Sequence, residues 1–352
     1  MTKYREKAVV DKAIFVGVDV HLKQFHVTIR TQEEELFTGS IPSGWLSLSK
    51  VLKRYRPEQT TVVYEAGYFG YSLYDAITQW GGRGVVTPPS LVPMEYGNRV
   101  KTDKRDSRKL AYLLSRGLLR ENWVPPVELR YHRQVLRRRR QLMADQVRQQ
   151  ARIKAELLFY GIDISGRTGR WSKGWVGQLW ALELPDAYAT WSFRRLLTVY
   201  ELVREAVAQQ TRLLRQLSGQ PVYQEPYRWL TSLPGIGPIT AMSVLLELGD
   251  MRRFGRGEQL TAYVGLTPSQ YSSGDHVRMG RITRVGKNYL RGLLIEAAWV
   301  AIRRDAELRQ VYQRLVVRCG GKRAIVAVAR RLLLRCRCIL LDGRVYRPTA
   351  CA

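Results

Sequence analysis

Ala13-Ile14-Phe15-Val16-Gly17-Val18-Asp19-Val20 is a nearly continuous apolar run, rich in β-branched residues, with a carboxylate close to its end. Such a run fits a central strand buried on both faces. Working outward, Phe25–Thr31 alternates and reads as a second strand, and Glu34–Thr38 as a weaker third. Trp45–Tyr55 has helical spacing, Thr60–Glu65 is another apolar strand ending in an acid, and Tyr71–Trp80 is again helical. Gly84–Thr87 is a short strand closed by Pro88-Pro89, and a helix follows over Asp103–Arg116. Three strands followed by alternating helix and strand imply an α/β fold, a mixed sheet with helices packed on it. Functional groups gather at strand ends in such sheets. Asp19 and Glu65 both end strands that are otherwise apolar, where a carboxylate needs compensation such as a bound cation.

A second stretch carries the matching acids. Arg99-Val100-Lys101-Thr102-Asp103-Lys104-Arg105-Asp106-Ser107-Arg108-Lys109 sets two carboxylates among six cations. Positions i and i+3 share a helix face, so Asp103 and Asp106 can point at one spot. Two readings stand. The acids cap the helix start, or they hold a metal within a basic rim, formed by Lys101, Lys104, Arg105 and Arg108, that attracts a polyanion.

The formal net charge of +28 points to a polyanionic partner. Residues 1–100 carry 12 Lys and Arg against 10 Asp and Glu, whereas the remaining 252 carry 46 against 20. The first part therefore reads as an ordinary enzyme domain and the rest as nucleic-acid-binding apparatus. No apolar stretch approaches the ~20 residues of a membrane span or forms a signal peptide. Cys319, Cys336, Cys338 and Cys351 have no metal-binding spacing, which fits reduced thiols in a cytoplasmic protein.

Val127–Tyr160 reads as a long polar helix containing Arg137-Arg138-Arg139-Arg140, with Leu136, Met143 and Leu157 on a loose heptad register. Trp191–Ser218 reads as a second, through Leu196, Leu197, Val203, Val207, Leu214 and Leu217, after a segment bearing Trp171, Trp175 and Trp180. An antiparallel hairpin or coiled-coil arm fits, its apolar stripe serving either self-association or the chain's own core. Next, Leu233-Pro234-Gly235-Ile236-Gly237 feeds a helix and is similar to a helix-hairpin-helix element. Backbone N–H groups near Gly235 and Gly237 would hold phosphate without reading sequence; a turn with packing duties alone is the other reading. Gln270-Tyr271-Ser272-Ser273-Gly274 lies in a loop-rich basic segment with Arg278, Arg281, Arg284 and Lys287. Its serine is either a turn residue or a nucleophile toward a phosphodiester, with guanidiniums balancing phosphate charge. Gly320–Arg337 alternates Arg with Leu, Val and Ala as a basic amphipathic helix.

Val16-Gly17-Val18-Asp19-Val20-His21, Tyr64-Glu65-Ala66-Gly67, Lys101–Asp106, Leu233–Gly237 and Gln270–Gly274 occur in this order. Together they resemble the DEDD transposases of bacterial insertion sequences, the IS110 family, over nearly the whole chain from about Ile14 to Leu334. The resemblance implies three parts. Residues 1–126 would form an RNase H-like (RuvC-like) catalytic domain, 127–228 a helical coiled-coil arm, and 229–352 a mostly helical C-terminal transposase domain. Asp19, Glu65, Asp103 and Asp106 would bind Mg²⁺, two ions per site, with Mn²⁺ as a substitute. Ser273, or its neighbour Ser272, would form a covalent phosphoserine link to DNA. Donor and target DNA, a bridge RNA and further copies of the chain, as a dimer or tetramer, are the implied partners, at the bacterial nucleoid.

Three rivals remain against this reading. A RuvC-like Holliday-junction nuclease would use the same acids with water as nucleophile, and a non-catalytic nucleic-acid-binding protein would use Asp103 and Asp106 as caps. A sugar-kinase or actin-like ATPase needs a Gly-Thr-rich turn after the first-strand Asp, where His21-Leu22-Lys23 stands instead.

Overall fold

The computed structural model describes residues 12–67, 69–93, 103–162, 171–273, 276–283 and 285–347. The chain divides into two units, Met1–Pro125 and Pro126–Ala352. In the first, the apolar run forms β1 (Ile14–Val20), followed by β2 (Gln24–Arg30) and β3 (Glu35–Pro42) in an antiparallel meander. α1 (Trp45–Leu52) leads to β4 (Thr60–Glu65), α2 (Ser72–Trp80) leads to β5 (Arg83–Thr87), and α3 (Asp103–Ser115) follows. β4 runs parallel to β1 and β5 parallel to β4, so the order is β3-β2-β1-β4-β5 with β1 central. The mixed sheet expected from the strand pattern is present.

Different helices cover its two faces, which is why β1 reads as apolar throughout. Val16, Val18, Val62 and Tyr64 pack with Leu48 and Leu52 of α1 and with Leu73 and Ile77 of α2. On the opposite face Val63 and Val85 pack with Leu110 and Leu113 of α3. The helix reaches β1 at Gly17, where a Cβ would lie 2.2 Å from the Ser107 carbonyl oxygen and 2.5 Å from the Ala111 nitrogen. Only a residue without a side chain admits a helix backbone so close. Ser107 is fully buried, its hydroxyl 2.8 Å from His26 Nδ1 and 2.9 Å from Thr28 Oγ1 on β2. One residue on, Arg108 donates from Nε and Nη2 to the Glu35 carboxylate of β3 at 2.8 and 2.7 Å. A close backbone approach, a buried hydroxyl and a forked ion pair thus fix α3 against three strands.

The second unit opens with α4 (Val127–Phe159), α5 (Lys173–Trp180) and α6 (Ala187–Ser218). α4 and α6 lie antiparallel. Near the start of α4, Leu136 shares a core with Leu214 and Leu217 from the end of α6. Farther along, Ile153 and Leu157 pack with Phe193, Leu197 and Tyr200, closed by Val176 and Leu179 of α5. The remainder is α7 (Pro221–Thr231), α8 (Pro238–Leu248), α9 (Gly257–Val264), a hairpin of β6 (Pro268–Ser273) and β7 (His276–Ile282), then α10 (Asn288–Arg304), α11 (Ala306–Cys319) and α12 (Gly321–Asp342).

Three expectations change. The loop-rich segment around the serine contains an antiparallel β-hairpin, whose alternation is obscured because Ser269, Gln270, Ser272 and Ser273 supply no apolar face. The Trp-rich segment holds a helix, α5, capped by the Ser172 hydroxyl, which accepts from the Trp175 N–H at 3.1 Å. The C-terminal basic helix is a core element as well as a basic surface. Ala324, Ile325, Val328, Leu332, Leu333, Cys336 and Ile339 of α12 are buried. Cys319, Cys336 and Cys338 are free thiols, and Cys351 lies outside the described residues. Among the described residues no helix is long and apolar enough to cross a membrane.

Candidate functional site

Asp19 is the penultimate residue of β1, two beyond Gly17 and therefore on the face that carries α3. Val18 pairs with Tyr64 in the parallel ladder, so Asp19 and Glu65 stand at the ends of neighbouring strands. Against that same face lies α3, whose first residue is Asp103 and whose first turn also holds Asp106. Ser107, held against Gly17, is one turn beyond Asp103. Two elements distant in sequence thus bring their acids together, and a helix start suits both carboxylates because the dipole there is positive. Capping and cation binding are compatible roles for them.

A third side chain joins the pair. His21 Nε2 lies 3.2 Å from Asp19 Oδ2 and 3.6 Å from Asp103 Oδ1. Asp19, His21 and Asp103 offer ligand atoms that all fall within 4.8 Å of one another, whereas Glu65 and Asp106 stand outside that group. Burial pushes the Asp19 carboxyl above its ordinary range. His21 beside it pulls it down, and Asp103 and Asp106 push it up further. The partly desolvated Asp19 carboxyl, beside Asp103 and Asp106, therefore resists ionisation unless a cation joins it. Hard oxygen donors from Asp19 and Asp103, with Asp106 and Glu65 nearby, suit a divalent ion such as Mg²⁺. His21 escapes sequence reasoning. Its only signal is an Asp-x-His spacing at a strand end, which becomes meaningful once Asp103 is seen beside it.

The cations and glycines of the sequence reading fall in several environments. Lys104 and Arg105 are exposed at the start of α3, and Arg108 is engaged with Glu35. Lys101 and Arg284 lie outside the described residues, as do Gly274 and the side chains of Ser272, Ser273 and Arg278. Ser273 is the last residue of β6 and pairs with His276 of β7, so it sits at the tip of the hairpin. Arg281 is exposed on β7.

Gly235 adopts φ +88°, and a Cβ there would lie 2.3 Å from the Ala297 carbonyl oxygen of α10. That glycine therefore has a packing duty. Gly237 faces open space immediately before α8. Much of the polybasic run on α4 is used within its own unit. Arg137 pairs with Glu247 at 3.0 Å, Arg139 Nε donates to Thr211 Oγ1 at 2.8 Å, and Arg140 lies 5.0 Å over the Tyr289 ring.

Lys287 completes the Glu247 cluster, its Nζ 3.2 Å from Oε2. Glu247 is buried on α8, which alone would raise its pKa. The hydrogen bond from Arg137, the Lys287 charge and the Arg137 charge outweigh that and bring it below the ordinary carboxylate range. Its contribution to stability is therefore complete above the unfolded pKa and lost as pH falls through the folded one. Glu247→Gln should lower unfolding free energy by about 1–3 kcal/mol at pH 7. It should also flatten the acid limb of stability, as read by urea denaturation across pH 3–7. An unchanged acid limb would show that Glu247 does not set it.

Residues 16–162 match a family model of IS110 DEDD transposases, described as a transposase. Residues 227–313 match the model described as the transposase IS116/IS110/IS902 family. A protein of Sinorhizobium fredii that bears a transposase name, y4qE, is 28% identical over 83% of this chain and 73% of its own. The transposase for insertion sequence element IS1533 of Leptospira borgpetersenii is 24% identical over 82% and 85% of the two chains. That for IS1111A of Coxiella burnetii is 28% identical over 70% and 68%.

Proposed function

Since the chain belongs to the IS110 family of transposases, we propose that it cuts and rejoins DNA strands through a divalent-cation site and a serine nucleophile. The cation site is built on Asp19, Glu65, Asp103 and Asp106, and the nucleophile is Ser273. One observation carries this reading. Asp19 at the end of β1 and Asp103 at the start of α3 converge on the same imidazole nitrogen, beside the strand that ends in Glu65. The order β3-β2-β1-β4-β5, a meander extended by parallel strands, supports an RNase H-like assignment of residues 1–126.

Each group then has a task. Asp19, Glu65, Asp103 and Asp106 hold Mg²⁺, as two ions per site. Bound there, the ions supply positive charge to a phosphodiester undergoing in-line displacement. Lys104, Arg105 and Lys101 draw the DNA backbone toward the acids. Ser273 Oγ forms a bond to phosphorus as the bond to the leaving sugar oxygen breaks. The hydroxyl proton is given up and the departing oxygen takes one on. The serine ester conserves the phosphodiester energy, so attack by another strand's hydroxyl rejoins DNA and restores the serine without ATP. Arg278 and Arg281 on β7 of that hairpin, and Arg284 just after it in sequence, would balance phosphate charge, and Gly237 would lend backbone N–H groups to a phosphate.

Residues 127–228 would act as a helical coiled-coil arm. Tyr188, Trp191, Val199, Leu202 and Leu213 of α6 are exposed, which supports covering by another copy through coiled-coil pairing. The excess positive charge would hold donor DNA, target DNA and a bridge RNA at the bacterial nucleoid, mainly through backbones. The decisive experiment incubates the protein with element-junction DNA, RNA transcribed from the flanking non-coding sequence, and Mg²⁺. A denaturation-resistant protein–DNA adduct mapping to Ser273, and lost in Ser273→Ala, is expected. Free nicks that persist in Ser273→Ala would identify a nuclease using water, and an adduct mapping to Ser272 would move the nucleophile by one residue.

A further inference from the structure

We propose that His21 Nε2 is itself a ligand of the divalent cation, which makes the site a mixed oxygen and nitrogen centre that prefers a transition ion such as Mn²⁺ to Mg²⁺. The proposal rests on the cation reading above and adds to it a residue outside the four acids. Three observations carry it.

The first is spacing. At metal–ligand distances of ~2.1 Å, neighbouring ligands stand ~3.0 Å apart in an octahedron and ~3.4 Å in a tetrahedron. The 3.2 and 3.6 Å from His21 Nε2 to the two carboxylates are of that size. The second is hydrogen-bond arithmetic. His21 Nε2 is within hydrogen-bond distance of Asp19 Oδ2 alone, and Asp103 Oδ1 at 3.6 Å receives no hydrogen bond from it. A cation joined to all three ligand atoms satisfies them at once. The third is placement. His21 follows β1 directly, and its N–H donates to the Gln24 carbonyl at 3.2 Å, which fixes the backbone of the turn into β2. The side chain is 49% exposed, yet it turns back toward the acids. Its neighbour Leu22 is 74% exposed.

The consequence lies in ion choice. Carboxylates serve Mg²⁺ and Mn²⁺ alike, while imidazole favours first-row transition ions. Removing His21 should therefore weaken the two ions unequally. The test titrates the full-length protein with Mn²⁺, with and without competing Mg²⁺, using electron paramagnetic resonance. Electron spin echo modulation then reports nitrogen bound to the metal. The wild type should show nitrogen modulation. His21→Ala should lose it, with Mn²⁺ affinity down roughly tenfold or more and Mg²⁺ affinity changed by less than about threefold.

His26 provides an internal control, because its Nδ1 is engaged with Ser107 and it remains in the variant. Mn²⁺ bound without nitrogen modulation, or equal losses of both ions, would overturn the role of His21 and leave the acid site standing. No saturable Mn²⁺ binding, or binding unchanged by Asp19→Asn, would overturn the cation site and this proposal together. His21 is a surface residue, so His21→Ala should still fold and melt cooperatively without metal.

Discussion

Asp19→Asn is expected to reduce strand cleavage by on the order of a thousandfold or more, which corresponds to ~4 kcal/mol of transition-state stabilisation, while leaving the metal-free protein at least as stable as the wild type. The two halves of this result have one cause. Burial raises the Asp19 pKa, and the Asp103 and Asp106 charges add to that effect beyond what His21 takes back. A carboxyl whose folded pKa lies above its unfolded one favours the protonated native state. Stability is therefore full below the unfolded pKa and falls as pH rises through the folded pKa, so at neutral pH the ionised group opposes folding. Asparagine keeps the shape and removes the charge. A cation bound to the wild type reverses the balance, since any ligand of the native state alone stabilises it by mass action. Melting temperature should rise with Mg²⁺ or Mn²⁺ in the wild type and stay flat in Asp19→Asn. Cleavage within tenfold of the wild type would remove Asp19 from the chemistry. A variant that melts lower than the metal-free wild type would show the His21 contact outweighing the repulsion.

Why some of this site could be read from the residues and some could not follows from how each signal arises. Asp19 and Glu65 are legible because a lone acid ending an apolar strand is conspicuous in a single stretch of chain. Asp103 and Asp106 are legible as a pair for a similar reason, the i, i+3 spacing beside an apolar helix. That Asp19 and Asp103 meet depends on Gly17, which looks in sequence like any small residue in a strand. Its meaning lies in the Ser107 and Ala111 backbone atoms on the far side of it. His21 was hidden likewise, since its partner Asp103 arrives from α3. The hairpin of β6 and β7 failed to register because hydrophobic alternation needs a core face, and residues Ser269–Ser273 have none to bury. The ion pairs of Arg108 and Arg137 leave no local signal because Glu35 and Glu247 lie far away along the chain.

Gly17→Val should be strongly damaging although it touches no ionisable group. The added Cβ would stand 2.2 Å from the Ser107 carbonyl oxygen and 2.5 Å from the Ala111 nitrogen, both of them backbone atoms of α3 that no rotamer change can move aside. Either the helix withdraws from β1 or the strand bows away from the sheet centre. Withdrawal would break the Ser107 contacts to His26 and Thr28 and strip the cover from Val63 and Val85. Overpacking of a close backbone contact usually costs 1–3 kcal/mol, and with a buried hydroxyl left unpaired the total should reach about 3 kcal/mol or more. Gly17→Ala should fall in the same direction and less far. The sharper prediction concerns the site. Asp103 is one helical turn from Ser107, so a displaced α3 carries Asp103 away from Asp19 and His21 without altering any ligand. Mn²⁺ affinity measured on the folded fraction of Gly17→Ala should therefore drop along with stability. Lost stability with unchanged Mn²⁺ affinity would mean that Gly17 supports the core and that the approach of Asp103 to Asp19 is set elsewhere.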